Sequence, residues 1–479
     1  MYGKGLLGYL PANILQGVVG FATLTVFTRV LTPQQYGDYA LAFGVSSLAQ
    51  TLFFTWMEAS MARFYPPEAR DDAQAPRLYG TLYRLFTLVF LGFGVICALG
   101  LWLWPGSGPL KVAVGFGLGC TVFRSLAKLV QEQRKSEGRV AAASAIDMIQ
   151  TGGGFAIGLA CALGGMGGGS PLVGAGLIAA LCLPLFARED WSRAAKGPFD
   201  GERAKAYLHY GLPVSASLIL TLALYTADRF LIAHYLSEAD AGAYHAGFSL
   251  ASRILDVLFI WFGAAGGPAM VNALEHGGEA ALFDNARRQI RTMVFILFPA
   301  VGGLIMVAPA LGDLLIGPAL RDQAVAVAPL ISLGALFSGL NTYYFLQAFT
   351  LARKTKLLIV AMSIPAVSNI ALNIALIPIM GLPGAALASA LSFGLGLVAS
   401  CLLGLKTLPL PLAVPDLLKT AAAAGVMMAA VACVPHFGGI FELTAQALVG
   451  VVVYAALALL FDLNGIRALV TRFRARAAA

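Results

Sequence analysis

The residues able to do chemistry in this chain are few, and most lie inside long apolar stretches. Arg253 stands about thirteen residues into one such stretch, which at about 1.5 Å per residue places it near the middle of a bilayer. Asp256 follows one turn on, and His245, Ser249, Arg253 and Asp256 fall on a single helical face at i, i+4, i+8 and i+11. A cation at that depth either locks helices by pairing with Asp256 or serves as the counter-charge for an anion passing through a wet cavity. Arg124 and Lys128, four residues apart, form a second pair of cations on one face, where they meet an anion or snorkel to headgroups. Asp147 and Gln150 are one turn apart and fairly deep, so Asp147 is a candidate proton or cation site. Asp228 and Arg229 close one apolar stretch and Arg29 another, as interfacial anchors or as a gate. Glu58 and Arg63 end a further stretch, as an inner gate or simple interface charge. Asn341, Asn369 and Asn373 are amides in apolar surroundings, suited to hydroxyl groups of a solute or to hydrogen bonds between helices.

The elements that must carry these groups follow from composition. Charged residues make up 12% of the chain against 59% hydrophobic ones, whereas soluble domains hold about a quarter charged residues. The solvent is therefore lipid. Apolar windows of about 20 residues recur at 7–29, 39–62, 81–104, 108–130, 140–163, 171–187, 207–232, 240–265, 289–311, 323–350, 357–379, 383–405, 414–434 and 441–462. The expected fold class is an all-α polytopic membrane protein with about fourteen transmembrane helices. Lys4 and the apolar run Leu6 to Val30 look superficially like a signal peptide, but the run is too long and lacks a clear cleavage site, so it reads as the first span.

Charge distribution sets the expected topology. With the N-terminus inside, the inside loops hold Arg63, Arg70 and Arg77, then Arg134, Lys135 and Arg139, then Arg188, Arg193, Lys196, Arg203 and Lys205. They continue with Arg287, Arg288 and Arg291, with Arg353, Lys354 and Lys356, with Lys406, and with a tail bearing Arg467, Arg472, Arg474 and Arg476, while outside loops hold only Lys111 and Arg321. This is the positive-inside pattern, with both termini cytoplasmic. The net charge of +8 is thus a topology signal rather than a nucleic-acid footprint. Six cysteines lie in or beside apolar stretches without CxxC spacing or a nearby histidine cluster, so neither disulfides nor a metal site is expected. No cofactor is expected, and the absence of a G-x-x-x-x-G-K-[ST] loop argues against an ATP-driven pump. The outside loops are too short for a catalytic domain, which argues against a membrane enzyme such as a polymerase or lipid-linked glycosyltransferase.

An internal repeat divides the chain. LTPQQYGDYALAF from Leu31 and LSEADAGAYHAGF from Leu236 align Leu31 with Leu236, Gly37 with Gly242, Tyr39 with Tyr244 and Phe43 with Phe248. Arg134-Lys135-Ser136 and Arg353-Lys354-Thr355 repeat the relation further along. The implied organisation is an N-terminal lobe at 1–205 (spans 1–6), a C-terminal lobe at 206–406 (spans 7–12), and spans 13–14 with a basic tail at 407–479. Parallel repeats commonly enclose a solute pathway.

The block L-T-P-x-x-Y-G-x-Y after span 1, the R-K-T-K start of span 11, and N-x-x-x-N followed by I-P-x-x-G-x-x-G-A-A at Asn369 to Ala386 carry a family resemblance. Together they resemble the polysaccharide-transporter (Wzx-type O-antigen and lipid-linked oligosaccharide flippase) branch of the multidrug/oligosaccharidyl-lipid/polysaccharide exporter superfamily. The resemblance implies a MATE-like fold of two pseudo-symmetric six-helix lobes around a cavity open alternately to each side. The implied cargo is a polyprenyl pyrophosphate bearing a sugar unit, moved from the cytoplasmic to the periplasmic leaflet of a bacterial inner membrane. On that reading Arg253, Arg124, Lys128 and Arg29 are cavity cations for the pyrophosphate. Asp228, Arg229, Asp256, Asp147 and Glu58 are then gate or ion-coupling groups, and Asn341, Asn369 and Asn373 are sugar contacts. The implied partners are the lipid-linked oligosaccharide, membrane lipids, a polysaccharide polymerase with its glycosyltransferases, and a coupling H+ or Na+. A peptidoglycan lipid-precursor flippase and a drug or cation antiporter of the same superfamily are the alternatives, the second expected to favour acidic cavity groups.

Overall fold

A computed structural model describes residues 2–68, 75–105, 108–468 and 471, with the side chains of 2–10, 66–68 and 355 excepted. Arg70, Arg472, Arg474 and Arg476, placed by sequence in an inside loop and the tail, lie outside the described residues. The described residues are almost entirely helical. The first helices are α1 (Tyr2–Val30), α2 (Pro33–Phe53), α3 (Thr55–Glu68), α4 (Ala75–Leu103), α5 (Pro109–Ser136), α6 (Val140–Leu163), α7 (Ser170–Phe186), α8 (Arg188–Lys196) and α9 (Gly201–Tyr235). They are followed by α10 (Glu238–Leu315), α11 (Pro318–Leu340), α12 (Gln347–Leu351), α13 (Thr355–Met380), α14 (Leu382–Leu405), α15 (Val414–Ala432) and α16 (Gly439–Leu460). Among the described residues, twelve helices are long and apolar enough to cross a membrane, or thirteen when α2 and α3, bent by 44° at their junction, count as one broken span. The fourteen windows read from sequence differ from this count because α10 runs through two of them. At about 1.5 Å per residue, its 78 residues greatly exceed a bilayer's thickness, and the helical path is broken at Gly278, whose φ of 66° and ψ of −165° leave the helical region.

Local chemistry explains the boundaries. At the start of α2, Thr32 Oγ1 accepts from Gln35 N at 3.2 Å while Gln35 Oε1 accepts from Thr32 N at 3.1 Å, with Pro33 in the first turn. This reciprocal cap makes the L-T-P block a helix start. Asp200 caps α9 in one direction only, by accepting from Glu202 N and Arg203 N.

The chain forms two compact units, Met1–Ala243 and Tyr244–Ala479. This division falls one helix later than the repeat boundary at 205/206, because α9 packs on α2 and α3. In the first unit α1 packs on α6, α2 on α5, and α7 on both α5 and α6; in the second, α14 packs on α11 and α13, and α15 on α16. The short α8 is riveted to the first unit by Asp190, fully buried, which accepts from Gln133 Nε2 at 2.9 Å and pairs with Arg134 at 3.2 Å. Burial holds the Asp190 carboxyl above its usual range despite those donors. Beside it Glu137 lies below its usual value: burial pushes it up, but hydrogen bonds from Gln133 and Tyr65 and the Arg134 guanidinium outweigh that.

Candidate functional site

In the first unit, α1, α2, α5, α6 and α7 enclose a cavity of about 260 Å³ whose polar lining includes Arg124, Lys128, Asp147, Gln150 and Thr151. Small residues create it. Gly154 and Gly158 of α6 approach the backbone of α7 at Ala175 and Pro171 so closely that a Cβ would sit 3.1 Å from each Cα, and Gly154, Ala175 and Pro171 line the cavity together with the polar residues of the same α6 face. Asp147 accepts a hydrogen bond from Gln16 of α1, whereas Gln150 Nε2 is buried without an acceptor. Among the described residues neither Arg124 nor Lys128 forms an ion pair. Two cations beside a single carboxylate make the cavity a concave site suited to an anion with hydroxyl-rich groups around it. Glu58 on α3 is an electrostatic neighbour of Lys128, and its Oε1 is buried without a donor. Arg63 is exposed.

Arg29, the third expected cation of this half, is exposed and donates to the Thr25 carbonyl at 2.8 Å, serving the end of its own helix. Asp228 and Arg229 are buried in α9, both with partners, and so do not lie on the surface as headgroup anchors would.

In the second unit the face of α10 read from sequence grades from sealed to open. His245 and Ser249 are buried, Arg253 is half-buried and Asp256 exposed. Arg253 and Asp256 act on one another electrostatically without closing an ion pair, and Arg253 Nε is buried with no acceptor. Sequence reasoning missed the partner of this face. Residues Asn341–Phe345 form a π-turn between α11 and α12, a distortion concentrated at functional sites. Its Tyr343 lies near Asp256, stacks on Phe259 at 5.7 Å and 11°, and accepts through its carbonyl from Gln289 Nε2 at 3.2 Å. Nothing in the run Asn341-Thr342-Tyr343-Tyr344 announces a π-turn. Asn341 is buried there with Oδ1 unpartnered.

The other two amides are sealed. Asn369 and Asn373 are 1% and 0% exposed. Asn373 Nδ2 donates to the Asn369 carbonyl at 2.9 Å, and Asn369 Nδ2 reaches Ser389 Oγ and Ser392 Oγ at 3.4 Å. Tyr244 OH completes the network at 3.1 Å from Ser389 Oγ, so these amides join α13, α14 and the start of the α10 segment in this unit.

The second unit also holds a groove of about 550 Å³ between the later arm of α10, α15 and α16. Phe295, Leu304, Met427, Val451 and Tyr454 help line it, and Gln446 is among its few polar neighbours. Its width owes much to Gly303, where a side chain would meet nothing within 4 Å.

Folds of this kind are known. The chain resembles the solved structure of the lipid II flippase MurJ in an inward closed conformation, with a TM-score of 0.76 at 15% identity over 95% of this chain and 98% of that one. An inward-facing multidrug resistance MATE family transporter of the MOP superfamily matches with a TM-score of 0.62 at 14% identity over 82% of this chain and 93% of that one. The protein is thus a multi-pass membrane protein with the MurJ and MATE fold. Residues 114–324 of the chain match the model of the family described as polysaccharide biosynthesis protein. Comparison with curated proteins finds no match in sequence.

Proposed function

We propose that this protein is a flippase that moves a polyprenyl-pyrophosphate-linked oligosaccharide from the cytoplasmic to the periplasmic leaflet for surface polysaccharide synthesis. The observation that carries this reading is the pair Arg124 and Lys128, two cations without ion-pair partners in a polar cavity among membrane-spanning helices. A charge inside hydrocarbon is costly, so such a pair is retained where an anion completes it. Arg253 supplies a further cation in the second unit, beside Asp256 and the Tyr343 π-turn. The apolar groove lined by α15 and α16 suits a prenyl chain. The match of residues 114–324 to the polysaccharide biosynthesis family supports a glycan cargo. Counting the two arms of α10 separately, and α2 with α3 as one, gives fourteen spans, with both termini cytoplasmic by the positive-inside pattern.

In this reading transport proceeds by alternating access. In the first unit Arg124 and Lys128 hold the pyrophosphate and Gln150 and Thr151 the sugars; in the second, Arg253 is a further cation and Asn341 a further sugar contact. Asn369 and Asn373 hold helices together rather than touching cargo. Asp147 and Asp256 are the coupling candidates for H+ or Na+, with membrane potential the other source of drive. Asp228, Arg229 and Glu58 belong to gates.

The test is deletion of the gene, followed by extraction of lipid-linked sugars and assay of surface polysaccharide. Loss of polymer with build-up of polyprenyl-pyrophosphate oligosaccharide on the cytoplasmic side supports flipping; intact polymer with altered sensitivity to cationic drugs overturns it in favour of an antiporter. The MurJ-like fold over nearly the whole chain favours, as a second reading, a peptidoglycan precursor as cargo. Build-up of the peptidoglycan precursor in place of the polysaccharide intermediate in the same extract marks that outcome.

A further inference from the structure

Asp38 is a carboxylate in a place where the fold asks for none. It sits in the first turns of α2, is 2% exposed, and has its Oδ2 buried without a hydrogen-bond donor. Close backbone approaches flank its turn of α2. The Gly167–Gly169 turn presses on one side, where a Cβ at Gly168 would lie 2.7 Å from the Asp38 Cβ. On the other side α2 meets the first turn of α10: a Cβ on Gly37 would overlap the Glu238 carbonyl, and one on Gly242 would come within 2.8 Å of the Gly37 nitrogen. Gln34 Nε2 fastens this contact from outside by donating to Glu238 Oε2 at 2.7 Å.

The charged groups of the surrounding elements do not relieve Asp38. Glu238, on α10, bears on it with like charge. Asp240, also on α10, is bound by Ser237 Oγ at 2.6 Å. Lys111 of α5 donates to the Trp104 carbonyl at 3.0 Å, Arg29 of α1 to the Thr25 carbonyl, and the Gly167–Gly169 turn carries no ionisable side chain.

The internal repeat provides a control within the same chain. In the register that aligns Gly37 with Gly242, Asp38 aligns with Ala243, which is fully buried. The packing at this position is therefore satisfied by a methyl group, and the carboxyl is an addition that burial penalises. A carboxyl enclosed without a donor and facing a second carboxylate is tolerable when neutral. Once water reaches it, the ionised form is favoured.

We propose that Asp38 is a protonation latch: it carries a proton while α2 is closed on the first turn of α10, and its ionisation releases that contact. Acid then holds this end of the two helices together, alkali parts them, and each opening and closing exchanges one proton with the solvent. This makes Asp38 a site of proton exchange separate from the cation-lined cavity.

The test uses the full chain with its six cysteines replaced and one introduced by Ala241→Cys, a position fully buried on α10. Labelling by a hydrophilic maleimide is followed from pH 5.5 to 8 and divided by that of the same protein carrying Asp38→Asn, which cancels the thiol's own ionisation. The latch predicts that this ratio rises on the order of tenfold with pH, and that Glu238→Gln shifts the rise to lower pH by removing the like charge. Asp38→Ala, patterned on the repeat, serves as an independent reference should the amide fold poorly. An unchanged ratio across the range, against either reference, overturns the proposal. Because labelling reads the contact and not the cargo, that result leaves the flippase reading untouched.

Discussion

The cavity of the first unit and the groove of the second are built from the same kind of helix yet have opposite chemistry. The first is small, polar and left with positive charge by Arg124 and Lys128; the second is about twice the volume and lined almost wholly by carbon. In both, glycine makes the room, Gly154 and Gly158 by bringing α6 onto α7 and Gly303 by leaving a gap in α10. What differs is whether the side chains facing that room have found partners. A polar group that is sealed and bonded to neighbouring helices is structural, and one left without an ion-pair partner beside a cavity is available to cargo. Asn369 and Asn373 fall on the first side of that line, Arg124, Lys128 and Arg253 on the second.

The sharpest way to break this comparison is to neutralise the polar cavity. Arg124→Ala combined with Lys128→Ala is expected to reduce export at least about 100-fold, since each hydrogen-bonded charge pair contributes on the order of 1.5–3 kcal/mol; complementation of a deletion strain, normalised to folded protein, measures it. Arg253→Ala is expected to abolish export while Arg253→Lys retains part of it, because a lysine keeps the charge but loses the forked donor geometry. Normal export by well-folded Arg253→Ala protein removes that residue from the site. A smaller effect is expected in the groove. Gly303→Phe places a ring in open space, so folding is retained while transport of a long-prenyl cargo falls about tenfold, the effect of losing about 1.4 kcal/mol from roughly two excluded methylenes. A short-prenyl analogue assayed in proteoliposomes should be little affected. The smallest effect on export is expected at the sealed amides: Asn373→Ala costs about 1–3 kcal/mol of stability, seen as a lower melting temperature in detergent, with export per folded molecule unchanged.

Much of the cavity was legible before the structure. Arg124 with Lys128 and Asp147 with Gln150 were paired by helical spacing alone, and the structure brings all four to one lining. Spacing works there because it defines a face of one helix. It says nothing of which neighbouring face comes opposite, so the Tyr343 π-turn beside Asp256 and the Gln16 bond to Asp147 were invisible. The amides show the same limit: N-x-x-x-N marks two side chains on one face, but only Ser389 and Ser392 on the adjoining helix turn that face inward. Nothing in sequence marks Asp38, because a carboxylate near a helix start is commonplace; its burial against Gly168, beside the Gly37–Gly242 contact, brings together three segments distant in sequence.

The sequence by itself determined the solvent, the helices, the repeat and the membrane-spanning windows, since each depends on the local run of apolar residues and the cost of exposing backbone to lipid. Tertiary structure decided that α10 continues through two windows, where α9 belongs, and which polar groups end up bonded, open or stranded. Those outcomes depend on contacts between residues far apart in the chain, where the approach of one helix to another fixes whether a given oxygen or nitrogen finds a partner.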